Sequence, residues 1–298
     1  MLWVILAILS HFVWAWANIT DKYVVENRVK NPYVYVWWQW IFAILALVIV
    51  PFVGFELNLA SSYLWLMLAS VFGVIGSLFY VKSLQLEEVS RIGLWWNLIP
   101  VFTLGIAWFT IGQKLSVIQF LAFFLLLFGA LVGSLHAGWV RFKISKALKY
   151  IIVACVSYSI YAVIYSHVVV VESFAVSYVW MNIFGFFMSF LLVFSPSIRH
   201  DFVSLWKKMD VSLISIFFGV SILNHIGAFL NVWALSLGLA ALVFAMEGFQ
   251  AMFILIFATI ISVFNPKLLK EELDKKNIIL KLVALVFMIV GILILNLG

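Results

Sequence analysis

Glu247 is a carboxyl group with apolar sequence on both sides, in the run Ala240-Ala-Leu-Val-Phe-Ala-Met-Glu-Gly-Phe-Gln250. Counted from Leu239 at 1.5 Å per residue, it lies roughly 10–12 Å along its helix. A carboxylate in such surroundings needs a partner, a proton or water. Either it binds a cationic group or exchanges a proton during a functional cycle, or it is a hydrogen-bonded structural carboxyl. Gln250, one turn on, shares its face. His11 and His225 also fall in apolar runs, and each is either a proton carrier or a packing donor. His11, Trp14, Ala15 and Asn18 follow the spacing i, i+3, i+4, i+7, which is one side of a helix. Tyr158, Tyr161, Ala162 and Tyr165 repeat that spacing, and aligning Ala7 with Ala154 superposes the two sets. Two further small or polar faces are Ser70, Gly73, Ser77, Tyr80 and Ser221, Asn224, Ala228, Asn231. Such faces either glue helices together or line a shared cavity. The cavity reading makes Trp14, Asn18, Tyr158, Tyr161, Asn224 and Glu247 the expected substrate-binding residues. Glu247, His11 and His225 are then the expected sites of proton coupling.

These residues need a membrane to make sense. The chain is 66% hydrophobic and only 10% charged, with a mean hydropathy of +1.20. A soluble domain is nearer half apolar and a quarter charged. The surplus belongs against lipid. The net charge of +6 therefore points to loop placement and not to a nucleic-acid partner. No His/Cys/Asp/Glu set has metal spacing, and neither a phosphate-cradling loop nor a nucleophile–base arrangement stands out, so no cofactor or enzyme activity is expected. Cys155, the single cysteine, reads as a small buried hydrophobe. Met1–Ala17 lacks a basic leader region and reads as a retained span.

A span needs about 20 mostly apolar residues. Ten runs qualify: Leu2–Thr20, Tyr33–Phe55, Tyr63–Lys82, Arg91–Ile111, Ser116–His136, Tyr150–Val171, Phe174–Pro196, Val211–Trp233, Leu239–Phe264 and Ile278–Leu297. They are too long and too continuously apolar for barrel strands. Of the 18 lysines and arginines, all but Lys114 fall in or flank alternate loops. The positive-inside rule puts those loops in the cytoplasm and both termini outside the cell (inner) membrane. Trp37-Trp38-Gln39-Trp40 and Trp95-Trp96-Asn97 read as interfacial belts and packing. Pro100 either bends its span toward a cavity or makes a packing kink.

The chain also repeats itself. Ser70-Val-Phe-Gly-Val-Ile-Gly-Ser-Leu-Phe-Tyr-Val-Lys-Ser-Leu-Gln-Leu86 aligns without a gap on Ser221-Ile-Leu-Asn-His-Ile-Gly-Ala-Phe-Leu-Asn-Val-Trp-Ala-Leu-Ser-Leu237, pairing Gly76 with Gly227. A unit with an odd number of spans enters the membrane upside down the second time. The charges agree: the loop after span 1 is basic and the loop after span 6 is not. The expected fold is all-α, integral to the membrane, with ten transmembrane helices as two five-helix inverted-topology repeats.

The motifs then resemble those of the EamA family of the drug/metabolite transporter superfamily. Its repeat pattern has a Tyr-x-x-Ala-Leu element, a mid-helix proline, a Gly-Glu-Lys/Arg-Leu turn and a glycine near the end of the last helix. The first repeat here gives Tyr80-Val-Lys-Ser-Leu84, Pro100, Gly112-Gln-Lys-Leu115 and Gly129. The second gives Asn231-Val-Trp-Ala-Leu235, Ala251 in place of the proline, Lys270-Glu-Glu-Leu273 and Gly291. The resemblance implies EamA-like repeats at residues 1–140 and 147–298. It also implies a carrier of small metabolites such as amino acids or related compounds. The expected function is secondary active transport, as exporter or exchanger, by alternating access around a central cavity. Coupling would be to a proton or a counter-substrate, since no segment could hydrolyse ATP. A lipid-linked substrate flippase and a membrane-embedded lipid enzyme are the alternatives.

Overall fold

The computed structural model describes residues 2–29, 31–87, 92, 95–134, 146–264 and 275–295. Among them every regular element is helical: α1 (Leu2–Asn27), α2 (Pro32–Ile41), α3 (Ala60–Leu84), α4 (Leu98–Ile111), α5 (Val117–Ser134), α6 (Leu148–Val168), α7 (Phe174–Ser189), α8 (Pro196–Lys207), α9 (Val211–Leu237), α10 (Ala240–Ala245), α11 (Gly248–Phe264) and α12 (Lys275–Leu295). Six helical stretches are long and apolar enough to cross a membrane, and shorter apolar helices accompany them. The chain is a multi-pass membrane protein.

Local chemistry sets the helix ends. Asn31 caps α2 by accepting from the Tyr33 amide at 3.0 Å, and Pro32 follows at the first helical position, where no amide hydrogen is needed. Beyond Ile41 the chain tightens into 3-10 turns over Phe42–Ile49. Asp210 caps α9 through the Leu213 amide at 2.7 Å. Gly112, at φ 66°, ends α4 in the left-handed region that favours glycine. Lys22 closes the far end of α3 by donating to the Leu84 carbonyl at 2.8 Å.

Helix α3 is capped from elsewhere in the chain. Leu59 stands at its N-cap and has no side-chain acceptor. Glu172, between α6 and α7, supplies one. It accepts from the Asn58 amide at 2.7 Å, the Leu59 amide at 2.9 Å and the Ser62 hydroxyl at 2.7 Å. Burial pushes this carboxyl up, but those donors outweigh it and hold it below the ordinary glutamate range. A depressed carboxylate stabilises the fold above its unfolded value, and that contribution is lost as pH falls through the folded one. Thermal melting should therefore show Glu172→Gln costing about 1 kcal/mol at pH 7, with the difference from wild type shrinking on acidification below the ordinary glutamate range. An equal deficit at every pH would contradict the assignment.

Helix packing follows three antiparallel pairs. On α1 and α9, Trp3 meets Gly238, Trp14 meets Gly227 and Arg28 meets Asp210. On α3 and α6, Trp65 meets His167, Ser77 meets Tyr158 and Phe79 meets Tyr150. On α5 and α12, Gly129 lies against Ala284 and Met288 while Gly291 lies against Ala122 and Leu126. In each pair small residues let the backbones approach, the usual basis of association between helices in lipid.

Four features depart from the sequence reading. Helix α1 runs on to Asn27, past the expected end at Thr20, and buries Asp21 instead of leaving it in a loop. The run read as one continuous span from Leu239 is broken at Met246 and Glu247, where i→i−3 hydrogen bonds replace the α pattern. Pro100 falls in the first turn of α4 and does not kink a helix middle; the turn at Asn97 precedes it. The connection between spans 7 and 8 is itself helix α8. Its Trp206 stacks on Trp38 at 5.6 Å and its Phe202 meets Trp37 at 4.4 Å. Those two tryptophans are thus buried beneath a surface helix and not displayed as a belt. Arg91, Arg141, Lys143 and the turn Lys270-Glu-Glu-Leu273 lie outside the described residues.

Candidate functional site

The broken run between α10 and α11 delivers Glu247 to a cavity of about 220 Å³ among the helices. Trp14 and Asn18 reach it from α1, Tyr158 and Tyr161 from α6, and Asn224 from α9. All six residues expected to bind substrate therefore line one hollow. Of the two small-residue faces, Gly73, Ser77, Tyr80, Ser221 and Ala228 also line it. Ser70 instead donates to the Met181 carbonyl at 2.7 Å, and Asn231 is buried away from the lining.

The histidines separate. His225 lines the cavity, but both ring nitrogens are engaged. Nε2 lies 2.8 Å from the Phe42 carbonyl, so it carries the proton, and Nδ1 accepts from the Tyr178 hydroxyl at 2.5 Å. It therefore acts as a strut joining α9, α7 and the 3-10 segment. His11 does not reach the cavity. Its Nδ1 lies 2.8 Å from Gln250 Oε1, so it stands behind Gln250 and fixes that amide.

Polar groups around the hollow differ in how they are satisfied. Ser77 Oγ accepts from Trp40 Nε1 at 3.2 Å, lies 3.1 Å from the Tyr158 hydroxyl and donates to the Gly73 carbonyl at 2.9 Å. This ties α2, α3 and α6 together at the wall. Asp21 Oδ1 accepts from the Tyr35 hydroxyl and, at 3.0 Å, from Gln39 Nε2. In contrast, Glu247 Oε2 and the Tyr80 hydroxyl are buried with no hydrogen-bond partner. Tyr80 stacks on Trp96 at 4.9 Å, and Trp96 meets Tyr158 edge-on at 5.6 Å. Two glycines seat lining rings on the neighbouring helix. A Cβ on Gly76 would meet the Tyr158 ring at 3.0 Å, and one on Gly227 would meet Trp14 Nε1 at 2.6 Å.

Sequence reasoning missed Asp21, Gln39, Trp40, Trp96 and Asn182, all of them lining residues. Asp21 had a signal: with Trp14 and Asn18 it continues the helical spacing by i+7, once α1 is allowed its full length. Gln39 and Trp40 sat inside a tryptophan-rich run that reads as interface.

The lining holds carboxyls, amides, hydroxyls and aromatic faces, with neither nucleophile–base pair nor metal cluster among the described residues. Such a hollow, held at depth by helices from both ends of the chain, suits reversible binding. Residues 1–135 match the EamA-like transporter family. The EamA-like family is one of membrane transporters within the drug/metabolite transporter superfamily. The motif resemblance thus holds over this first half, which closes at the end of α5. No curated protein matches the chain. A solved structure titled "Crystal structure of protein" is similar over 99% of this chain and 95% of its own, with a TM-score of 0.64 at 16% identity. That likeness is one of fold.

Proposed function

We propose that this chain is a secondary carrier of small metabolites, built as two inverted five-helix repeats that alternate access to the central cavity. The observation that carries this reading is the convergence of Trp14, Asn18, Tyr158, Tyr161, Asn224 and Glu247 on one hollow that also holds an unpartnered buried carboxyl oxygen. Matter that enters there must be small and must meet Glu247.

The repeat reading draws support from an exchange of partners. The first helix of the first half, α1, packs on α9, and the first helix of the second half, α6, packs on α3, the counterpart of α9. Each pair is antiparallel, and aligned glycines Gly76 and Gly227 each receive a ring from the other half's first helix. The match to an EamA-like unit over residues 1–135 also ends where a five-helix repeat would.

Two latches close opposite ends. One joins Arg28 to Asp210 at 3.1 Å, with Asn31 donating to Asp201 at 2.6 Å beside it. The other joins Glu172 to the start of α3. Each ties the end of one half's first helix to the start of the other half's third. Arg28 and Asp210 are partly exposed, and such pairs contribute about 0–1 kcal/mol, which suits a contact that opens in every cycle. Lysine and arginine placement puts the Arg28 end in the cytoplasm, and coupling is to a proton or a counter-substrate.

Ala228 lines the cavity, so Ala228→Trp should fill it. In proteoliposomes given radiolabelled amino acids and amines, wild-type protein is expected to show saturable uptake. The variant should lose it while its melting temperature stays within a few degrees. Uptake undiminished by the tryptophan would place the path elsewhere and overturn the reading.

A further inference from the structure

The charge and surface chemistry of the cavity narrow its cargo, an inference that rests on the carrier reading of the same site. Asp21 and Glu247 both line the hollow, and among the described residues neither lysine nor arginine does. His225 adds no free donor, since its Nε2 hydrogen is committed to Phe42. Asp21 already accepts two hydrogen bonds at Oδ1, from Tyr35 and Gln39, whereas Glu247, only 6% exposed, keeps Oε2 without a partner. Among the described lining residues an anionic cargo would find no countercharge and would sit beside two carboxyls. A zwitterion would satisfy its ammonium, but its carboxylate would meet only neutral donors such as Asn18, Asn224 and the Tyr80 hydroxyl, and a buried charge without a countercharge is costly.

Aromatic residues share the hollow with this carboxyl. Trp14, Trp40, Trp96, Tyr158 and Tyr161 line the cavity, and ring faces attract cations, tryptophan most strongly. Aromatic walls also accept an apolar body. A volume of about 220 Å³ falls below the roughly 300–1,000 Å³ of sites for drug-sized ligands.

We infer that the cargo is a small organic monocation, an amine with an apolar body and no carboxylate, whose charged nitrogen meets Glu247 within the aromatic walls. The amine's ammonium donates to the Glu247 carboxyl, whose Oε2 has no partner among the described residues, while the rings take the rest of the molecule. Amides such as Asn18 and Asn224 fix its orientation. Binding replaces the missing partner of Glu247, so cargo and carboxyl satisfy each other.

A matched trio tests the class on the purified wild-type protein. Phenethylamine is phenylalanine without its carboxylate, and 3-phenylpropionate is phenylalanine without its amine. Calorimetric titration at pH 7 should give phenethylamine an affinity at least about tenfold above phenylalanine and about a hundredfold above 3-phenylpropionate. Equal or tighter binding of the zwitterion or the acid overturns the inference, as does binding of none of the three. Proteoliposome uptake of the same trio separates this from the carrier reading. An amine bound but never moved sinks the carrier and leaves the class standing. Zwitterion or acid moved as fast as the amine sinks the class and leaves the carrier standing.

Discussion

Glu247→Gln is expected to lower amine uptake by on the order of a hundredfold while leaving the protein as stable as wild type or slightly more so. The two signs come from one fact, that Glu247 Oε2 is buried without a partner. Glutamine keeps the shape and gives up no hydrogen bond at that oxygen, so the fold loses no interaction there. A cationic cargo, however, loses the carboxyl it would pair with, and removing one member of a buried charge pair costs about 2–5 kcal/mol in binding. A purely structural carboxyl predicts the reverse pattern, with melting temperature falling and transport, if measurable, retained. Uptake and thermal melting on the same preparation therefore separate the two roles that the sequence left open for this residue.

The second large effect is expected at the aligned glycines. Gly76→Leu and Gly227→Leu should each abolish uptake and cost about 1–3 kcal/mol, as overpacking generally does. At Gly227 a Cβ would come within 2.6 Å of Trp14 Nε1, and at Gly76 within 3.0 Å of the Tyr158 ring. Both rings line the cavity, so the open direction for relief is inward, where cargo would sit. Gly105 and Gly219 have nothing within 4 Å of an added Cβ, and leucine at either should leave uptake near wild type. If Gly227→Leu transports normally, the Trp14 face does not bound the path.

The sequence carried the polar faces well because a hydroxyl or amide in an apolar helix has few places to turn except toward other helices. Spacing along α1 and α6 was therefore enough to bring Trp14, Asn18, Tyr158 and Tyr161 to a common wall. The same logic failed at Asp21, because a charge close to a span's edge looks like the start of a loop. Only Tyr35 and Gln39, from the next helix, make its burial tolerable. The break at Met246 and Glu247 was hidden for a different reason. Its alanines and leucine are strong helix formers, and neither proline nor glycine precedes Met246 in the run from Ala240. Helix α8 was concealed by its charges, since Arg199, Asp201 and Lys207 suggest a connection until Phe202 and Trp206 find Trp37 and Trp38. His11 and His225 could not be told apart by spacing. What distinguishes them is which partners occupy the ring nitrogens.

Access to the hollow from both faces of the membrane is the claim on which the account turns, and the chain is well suited to its measurement. Cys155, its one cysteine, is buried, so a single Ala228→Cys substitution introduces the one reactive thiol in the cavity. A membrane-impermeant thiol reagent applied to oriented vesicles should label that residue from the inside and, in a separate experiment, from the outside, with phenethylamine slowing both reactions. Labelling from one face alone, or from neither, would contradict alternating access.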